Sequence, residues 1–247
     1  MLSKAKIETL FETFERLDDD PKTELNYRNP YTLLVAVTIS AQTTDVAVNK
    51  ATKEIFPTIN TPQAMVAFGE EKFREAIKTI GLYRNKAKNI IALSQALIDH
   101  HDGQVPHNRT ALEALPGVGR KTASVVLNEL GIEPAIAVDT HVFRVSHRLG
   151  LAKGKTPDAV QDELMRKIPE RFLTRAHHWL ILHGRYTCVA RKPKCRNCEV
   201  RSLCPRYSEA SDTFREAPGL LAKQASKGKT AAPRRRGPVE APTKRKG

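Results

Sequence analysis

Apolar residues recur at three- and four-residue intervals along much of this 247-residue chain. This spacing puts side chains on one face of an α-helix and predicts amphipathic helices around a buried core. The clearest examples are Ile7, Leu10, Phe11, Phe14 and Leu17, and further along Ala123, Val126, Leu127 and Leu130. No segment shows the sustained alternation of a half-buried strand, and no motif repeats at a fixed period. The sequence therefore predicts an all-α fold.

Several helix boundaries are marked by capping residues. Thr61-Pro62 and Thr156-Pro157 each combine an N-cap with a proline at the first helical position. Helices are expected to stop at Gly69, Gly81, Gly131 and Gly150. The continuous apolar segment 31–40 is compatible with a strand, but helices on both sides favour a buried helix.

The formal net charge of +14 makes a polyanion the first partner to consider. Half of the excess lies in residues 212–247, which hold ten basic and three acidic residues. This segment has a single aromatic residue, Phe214, and four prolines, so it cannot bury enough apolar surface to offset the entropy of ordering. We expect a disordered basic tail that acts either as a solubilising appendage or as a phosphate-binding arm.

Membrane and secreted proteins are disfavoured. The longest apolar run, Tyr31 to Ala41, is too short to span a bilayer. Glu8, Glu12 and Glu15 follow the first basic residues at once, which is unlike a signal or transit peptide. We expect no membrane partner and a cytoplasmic location, nucleoid-associated if the cell is bacterial.

All four cysteines fall within 17 residues, spaced Cys-x6-Cys-x2-Cys-x5-Cys; they are Cys188, Cys195, Cys198 and Cys204. Two disulfides in one short loop would suit a small secreted protein rather than this chain. Four local thiolates favour a soft metal centre. The spacing leaves both zinc and an iron–sulfur cluster open.

The most informative segment is Leu112 to Ala123, in which an apolar helix, a Pro-Gly-Val-Gly turn and a second helix near Arg120 follow one another. Gly117 and Gly119 permit a left-handed backbone in a tight hairpin. Their amide N–H groups, exposed beside a helix N-terminus, form an expected phosphate site. Lys121 is then either a phosphate contact or an amine nucleophile.

Asp139 follows an apolar approach and precedes a helix that ends at Gly150, which is typical of an N-cap. A catalytic role would require Asp139 to face Lys121, and spacing alone does not establish that.

These motifs together resemble the endonuclease III family of DNA glycosylases. The resemblance rests on Leu-Pro-Gly-Val-Gly-Arg-Lys-Thr-Ala at 115–123, Val-Asp-Thr-His-Val at 138–142 and the cysteine spacing. Ser-Ala-Gln-Thr-Thr-Asp at 40–45 and Gly-Leu-Tyr at 81–83 also match. The match extends to about residue 211 and leaves the basic tail uncovered.

The resemblance implies base excision repair of oxidised or damaged pyrimidines in double-stranded DNA, with cleavage at abasic sites. Lys121 would form a Schiff base with the sugar, assisted by Asp139. The remaining implied DNA contacts are Gln42, Leu82, Leu115, Gly117, Val118, Gly119 and His141. The four cysteines would hold a [4Fe-4S] cluster, which in this family is not a hydrolytic centre.

The implied architecture is a two-lobed helix-hairpin-helix glycosylase fold, with DNA in the cleft between the lobes. One lobe would span 23–134, and the second would combine 1–22 with 135–211, which includes the cysteine loop. We expect a monomer.

Three alternatives differ in their chemistry. A monofunctional glycosylase of the same superfamily would lack the lysine nucleophile. A non-catalytic DNA-binding module would carry structural zinc. The oxoguanine glycosylase branch has the lysine, but the cysteine loop separates this chain from it.

Overall fold

The computed structural model describes residues 1–208 and 213–215, and these confirm the all-α prediction. The helices in this part of the chain are α1 (Lys4–Leu17), α2 (Pro30–Ile39), α3 (Asp45–Thr52), α4 (Pro62–Phe68), α5 (Glu70–Ala76), α6 (Tyr83–His101), α7 (Arg109–Glu113), α8 (Arg120–Glu129), α9 (Thr140–Leu149), α10 (Pro157–Lys167) and α11 (Glu170–Tyr186). Short 3-10 turns follow at Cys195–Asn197 and Arg201–Leu203. Except for residues 213–215, the predicted tail 212–247 lies outside the described residues.

The predicted N-caps at Thr61 and Thr156 are confirmed. The Ala64 N–H donates to Thr61 Oγ1 at 3.1 Å, and the Ala159 N–H donates to Thr156 Oγ1 at 3.2 Å. The apolar segment 31–40 lies almost wholly in α2, so the preference for a helix is also confirmed. Its start is set by Asn29, whose side chain forms a capping box with Thr32.

Three of the four predicted glycine stops lie at helix ends. Gly69 and Gly150 are C-caps with positive φ, and Gly131 follows the C-cap of α8. Gly81 does not end a helix, because α5 stops at Ala76 and Gly81 lies in the loop before α6. In that loop Leu82, not the glycine, takes the left-handed conformation.

Two hydrophobic cores are present in the described chain. One comprises buried residues between Leu25 and Leu127, contributed by α2 to α8 and their loops. The other joins α1 to α9, α10 and α11 and extends to Val200 in the cysteine loop. The N-terminal helix therefore packs with the C-terminal half. The lobe boundaries 23–134 and 1–22 with 135–211 stay a prediction.

Helix α8 belongs to the first core but carries polar side chains that bond to the second. The buried Asn128 donates from Nδ2 to the Thr174 carbonyl of α11 at 2.9 Å, and its Oδ1 accepts from the Ala135 N–H at 3.1 Å. Gln161 of α10 donates to Ser124 Oγ at 3.3 Å. These bonds fix the helix that bears Lys121 against the second core.

A short antiparallel pair follows the cysteine loop, β1 (Tyr207–Ser208) with β2 (Thr213–Phe214). Two-residue strands are too short to produce the alternation by which sequence reveals a sheet. The Phe214 ring lies 4.8 Å from the guanidinium carbon of the fully buried Arg148. The start of the predicted tail thus packs on the second core.

Within the described chain, no helix combines the length and apolarity needed to cross a membrane.

Helix α1 provides a test of the discontinuous second core. Phe11 is fully buried, and its ring lies 5.8 Å from Phe172 and 6.2 Å from Trp179. We expect Phe11→Ala to lower the free energy of unfolding by about 3–5 kcal/mol, because it leaves a cavity among these rings. Leu17→Ala is the control, since Leu17 on the same helix is 55% exposed and should change stability by about 0.5 kcal/mol or less. Equal effects in urea unfolding would contradict the packing of α1 in this core.

Candidate functional site

The turn between α7 and α8 is built on two glycines with different roles. Gly117 has φ +79°, and a Cβ there would lie 2.9 Å from Asn89 Cβ, so no larger residue fits. Gly119 has φ −105°, which any residue adopts, and a Cβ there would meet nothing within 4 Å. Of the two glycines that permit a left-handed backbone, only Gly117 adopts it. Neither conformation nor packing requires glycine at position 119, and it leaves open space next to the backbone.

The amides of this turn are divided between the fold and the surface. Leu115 and Val118 are buried in the first core, and their N–H groups donate to the Leu112 and Leu115 carbonyls. The N–H groups of Gly117 and Gly119 donate to no group among the described residues, and α8 has no side-chain N-cap. The amides left for an anion are therefore those of the two glycines and the first turn of α8.

The two cations that begin α8 are not equivalent. Arg120 lies 2.9 Å from Asp162 and 3.7 Å from Asp158, both on α10, so its charge is neutralised across the two cores. Lys121 is exposed, with no ion pair to any described residue.

Lys121 also acts electrostatically on the second core. The pKa of the buried His177, on α11, is lowered well below its usual value, first by burial and then by the charges of His178 and Lys121. The ammonium of Lys121 thus lies near α11 as well as on α8. His177 and His178 are both buried on α11.

Asp139 begins α9, and the predicted N-cap is confirmed. The N–H groups of His141 and Val142 both donate to Asp139 Oδ1, each at 2.8 Å. Its Oδ2 accepts no hydrogen bond from the described residues. Residues 135–138 ahead of it are buried, and the Ala135 N–H is held by Asn128 of α8. One carboxylate oxygen therefore holds the helix, and the other is available for chemistry.

His141 lies on the first turn of α9, close to α11. Its Nδ1 is 3.3 Å from Arg144 Nη2, and Arg144 also donates to the Gly184 carbonyl at 2.8 Å. A Cβ at Gly184 would lie 2.9 Å from His141 Cβ, so this glycine permits the close approach of the two helices.

Gln42 and Leu82 occupy neighbouring exposed loops. Both have left-handed backbones, with φ +56° and +59°, and the Leu82 side chain is 61% exposed. Leu82 is therefore not a core residue. The two loops are adjacent, because a Cβ built at Gly81 would lie 4.0 Å from the Gln42 carbonyl oxygen.

The four cysteines lie in one loop, where Cys188 and Cys198 are buried and Cys195 and Cys204 are partly exposed. Burial, together with the nearby Cys188, Cys204 and Cys195, raises the pKa of Cys198 to about 12. Among the described residues, no group of three or more His, Cys, Asp or Glu side chains is arranged to hold a metal ion. The donor set still fits a soft metal, since four thiols within mutual electrostatic range lose their protons most readily to such an ion.

Two polar residues beside these sites had no role in the sequence analysis. Arg148 of α9 donates to the Val189 carbonyl at 2.8 Å and to the Ala190 carbonyl at 3.0 Å, and so holds the start of the cysteine loop. Asn128 joins α8 to the approach to Asp139. The sequence feature that could have indicated both residues is a polar side chain on the apolar face of a helix, with apolar residues one turn before and after it.

Comparison with known proteins identifies close relatives. The family model described as HhH-GPD superfamily base excision DNA repair protein matches residues 35–170. Endonuclease III of Rickettsia conorii is 55% identical over 81% of this chain and 96% of its own length. Endonuclease III of Escherichia coli K12 is 51% identical over 85% of this chain and 100% of its own length. A solved structure of a trapped covalent intermediate of endonuclease III with DNA aligns with a TM-score of 0.78 at 45% identity, covering 83% of this chain and 97% of that chain.

The two oxygens of Asp139 can be separated by mutation. Asp139→Ala should lower the free energy of unfolding by about 1 kcal/mol, because the His141 and Val142 amides lose their acceptor. Asp139→Asn should leave stability nearly unchanged, since asparagine caps helices as well as aspartate does. Denaturant unfolding of both variants measures this difference. Equal destabilisation by the two substitutions would contradict the assignment of the cap to Oδ1.

Proposed function

The chain belongs to the endonuclease III family of HhH-GPD superfamily base excision DNA repair proteins, and from this membership we propose that Lys121 and Asp139 perform its chemistry. The protein is a DNA glycosylase for damaged pyrimidines with abasic-site lyase activity. The assignment of these two residues rests on the contact between the helix that bears Lys121 and the segment that leads to Asp139; we call this contact the junction. Asn128 ties the helix of Lys121 to the segment that leads to Asp139, and Lys121 acts on His177 across that junction.

Lys121 is the nucleophile. Its neutral amine attacks C1′ of the damaged nucleoside, the C1′–N bond breaks, and the base leaves with the bonding electron pair and takes up a proton. The attacking nitrogen then gives up a proton, and the C1′–O4′ bond breaks with its electron pair going to O4′, which takes up a proton; the sugar ring is open and C1′ is joined to Lys121 as an imine. The protonated imine acidifies C2′, a base removes the C2′ proton, a C2′–C3′ double bond forms, and the C3′–O bond breaks so that the 3′ phosphate leaves with its electron pair. An amine is required because only a Schiff base activates C2′ in this way. Lys121 is exposed in the free protein, so its desolvation comes with the bound DNA.

Asp139 assists through the oxygen that the helix leaves free. Oδ1 is occupied by two backbone N–H groups, which fixes the carboxylate, whereas Oδ2 can accept the proton of Lys121 or stabilise positive charge on the sugar. A helix cap and a catalytic carboxylate are therefore compatible in one side chain.

The target nucleotide must leave the stacked duplex before Lys121 can reach C1′. We assign Gln42 to the vacated space and Leu82 to a wedge in the opposite strand, with His141 lining the pocket. This is supported by the exposure of Gln42 and Leu82 on adjacent loops, since a 61% exposed leucine has no packing role in the free protein.

The hairpin grips the DNA backbone. The open amides of Gly117 and Gly119 and the first turn of α8 bind a phosphate, which positions the strand without reading its sequence. Leu115 and Val118 support this turn from the core, because their side chains are buried and their N–H groups already have acceptors.

We assign a [4Fe-4S] cluster to Cys188, Cys195, Cys198 and Cys204. The group supplies no hydrolytic chemistry; it would cross-link residues 188–204 and shape this loop. The loop carries Arg191, Lys192, Lys194 and Arg196 on its exposed side, where they can meet phosphates. We further propose that the protein acts as a monomer in the cytoplasm, nucleoid-associated if the cell is bacterial, on duplexes that contain damaged pyrimidines or abasic sites.

Borohydride trapping tests the nucleophile. Wild-type protein mixed with an abasic-site or thymine-glycol duplex should form a covalent adduct, because borohydride reduces the imine to a stable amine. Lys121→Ala should form none, although its helix remains folded. Asp139→Asn keeps the cap but loses the carboxylate, so its adduct should form about 10²-fold more slowly.

A Lys121→Ala variant that still traps would refute the assignment of the nucleophile. Absence of an adduct with wild type would instead favour a monofunctional glycosylase or a non-catalytic DNA-binding module.

Metal analysis tests the cofactor. Protein purified without oxygen should be brown and contain about four iron atoms and four sulfides per chain. Cys198→Ser should lose the colour, whereas Ser202→Ala in the same loop should retain it, because Ser202 is exposed and outside the ligand set. Stoichiometric zinc in a colourless wild-type preparation would overturn the iron–sulfur assignment.

A further inference from the structure

The two loops that we assign to DNA insertion both hold a non-glycine residue in the left-handed region. Gln42 lies between α2 and α3, and Leu82 lies just before α6. The left-handed conformation is unfavourable for such residues, so the surrounding structure must hold each one in place. Only Asp102 and Lys192 share this conformation among the other non-glycine residues of the described chain.

One residue bonds to both loops, to one through its backbone and to the other through its side chain. Lys86 lies one turn into α6, and its backbone N–H donates to the Leu82 carbonyl at 3.1 Å. Its side chain turns inward, leaving the residue 7% exposed, and Nζ donates to Thr43 Oγ1 at 2.7 Å. Lys86 is thus hydrogen-bonded to Leu82 itself and to the residue that follows Gln42.

The choice of lysine for this position is informative. Burial lowers the pKa of Lys86, and no acidic side chain of residues 1–208 or 213–215 lies within ion-pair distance of it. A buried cation without a carboxylate partner is costly in the free protein. Beneath two loops that face DNA, however, its charge is complemented by the phosphate backbone when the duplex binds.

We propose that Lys86 is a positioning residue that couples the Gln42 and Leu82 loops, so that both enter the duplex together. The proposal rests on the insertion roles assigned above. It concerns nucleotide extrusion rather than bond breaking, because Lys86 contacts the loops and Lys121 performs the covalent chemistry. Its loss should therefore matter most when a base must be unstacked, and least at an abasic site, which has no base to extrude.

The test compares two substrates in single turnover. Lys86→Met keeps the apolar stem and removes the ammonium, so borohydride trapping on a thymine-glycol duplex should slow about tenfold or more, as expected for a lost charged hydrogen bond. Trapping on a preformed abasic duplex should change by about threefold or less. Lys88→Met is the matched control, since Lys88 on the same helix is exposed and should leave both rates within about twofold.

A second variant removes only the acceptor. Thr43→Val preserves shape and should reproduce the selective slowing, and Lys86→Met with Thr43→Val should be no slower than either alone, because both break one contact. The fluorescence of 2-aminopurine opposite the lesion should rise more slowly in these variants, which reports unstacking directly. Thermal unfolding establishes that each variant is folded. If Lys86→Met is not folded, the rates of Thr43→Val on the two substrates test the proposal alone.

Two outcomes would overturn the proposal: equal slowing on both substrates, or no slowing on the thymine-glycol duplex. Gln42→Ala and Leu82→Ala separate this failure from a failure of the proposed function. If these two variants lose extrusion while Lys86→Met does not, only the coupling by Lys86 is wrong. If all three extrude the lesion normally, the insertion roles themselves are wrong.

Discussion

The side-chain amide of Asn128 is the constraint on which the arrangement of the site depends. It is buried, and its donor and acceptor are satisfied by the backbone of α11 and of the segment that leads to Asp139. A buried amide that loses one partner costs about 1–3 kcal/mol, so the three pieces of chain are held in one relative position. Lys121 lies two turns earlier on the same helix, at a spacing that returns to the same face. The two proposed catalytic residues therefore come from different cores but share one fixed junction.

Around this junction, some atoms stabilise the fold and others remain available to a ligand. The two kinds of atom belong either to one residue or to neighbouring residues. Asp139 uses Oδ1 for the α9 cap and leaves Oδ2 free. Gly117 makes the hairpin turn possible, whereas Gly119 leaves the space beside its amide open. Arg120 joins α8 to α10, while the adjacent Lys121 is exposed and forms no ion pair with any residue that the structure describes. A preformed scaffold thus presents reactive groups that require no rearrangement of their own helix, which is the geometry that favours electrostatic preorganisation.

Local chemistry explains which features the sequence could predict. The all-α class, the caps at Thr61, Thr156 and Asp139 and the helical state of 31–40 depend on residues close together in the chain. The Arg120 partners on α10, the Thr43 contact of Lys86 and the two bonds of Asn128 join residues that fold brings together, and no spacing rule encodes them. Gly119 shows the same limit, because a glycine required by backbone geometry and one that leaves room for a ligand look identical in sequence. The family resemblance supplied the roles of Gln42 and Leu82, which their residue types alone did not indicate.

The cations of residues 1–208 fall into two groups, those that already form ion pairs with carboxylates and those that do not. Arg120 and Arg185 already face carboxylates, the latter paired with both Glu24 and Asp45, so a phosphate would gain little from them. Lys121 is exposed and has no such partner in the described chain, so a phosphate that approaches it replaces no existing ion pair. The number of phosphates that the folded body neutralises is therefore set by its unpaired cations and not by its formal charge.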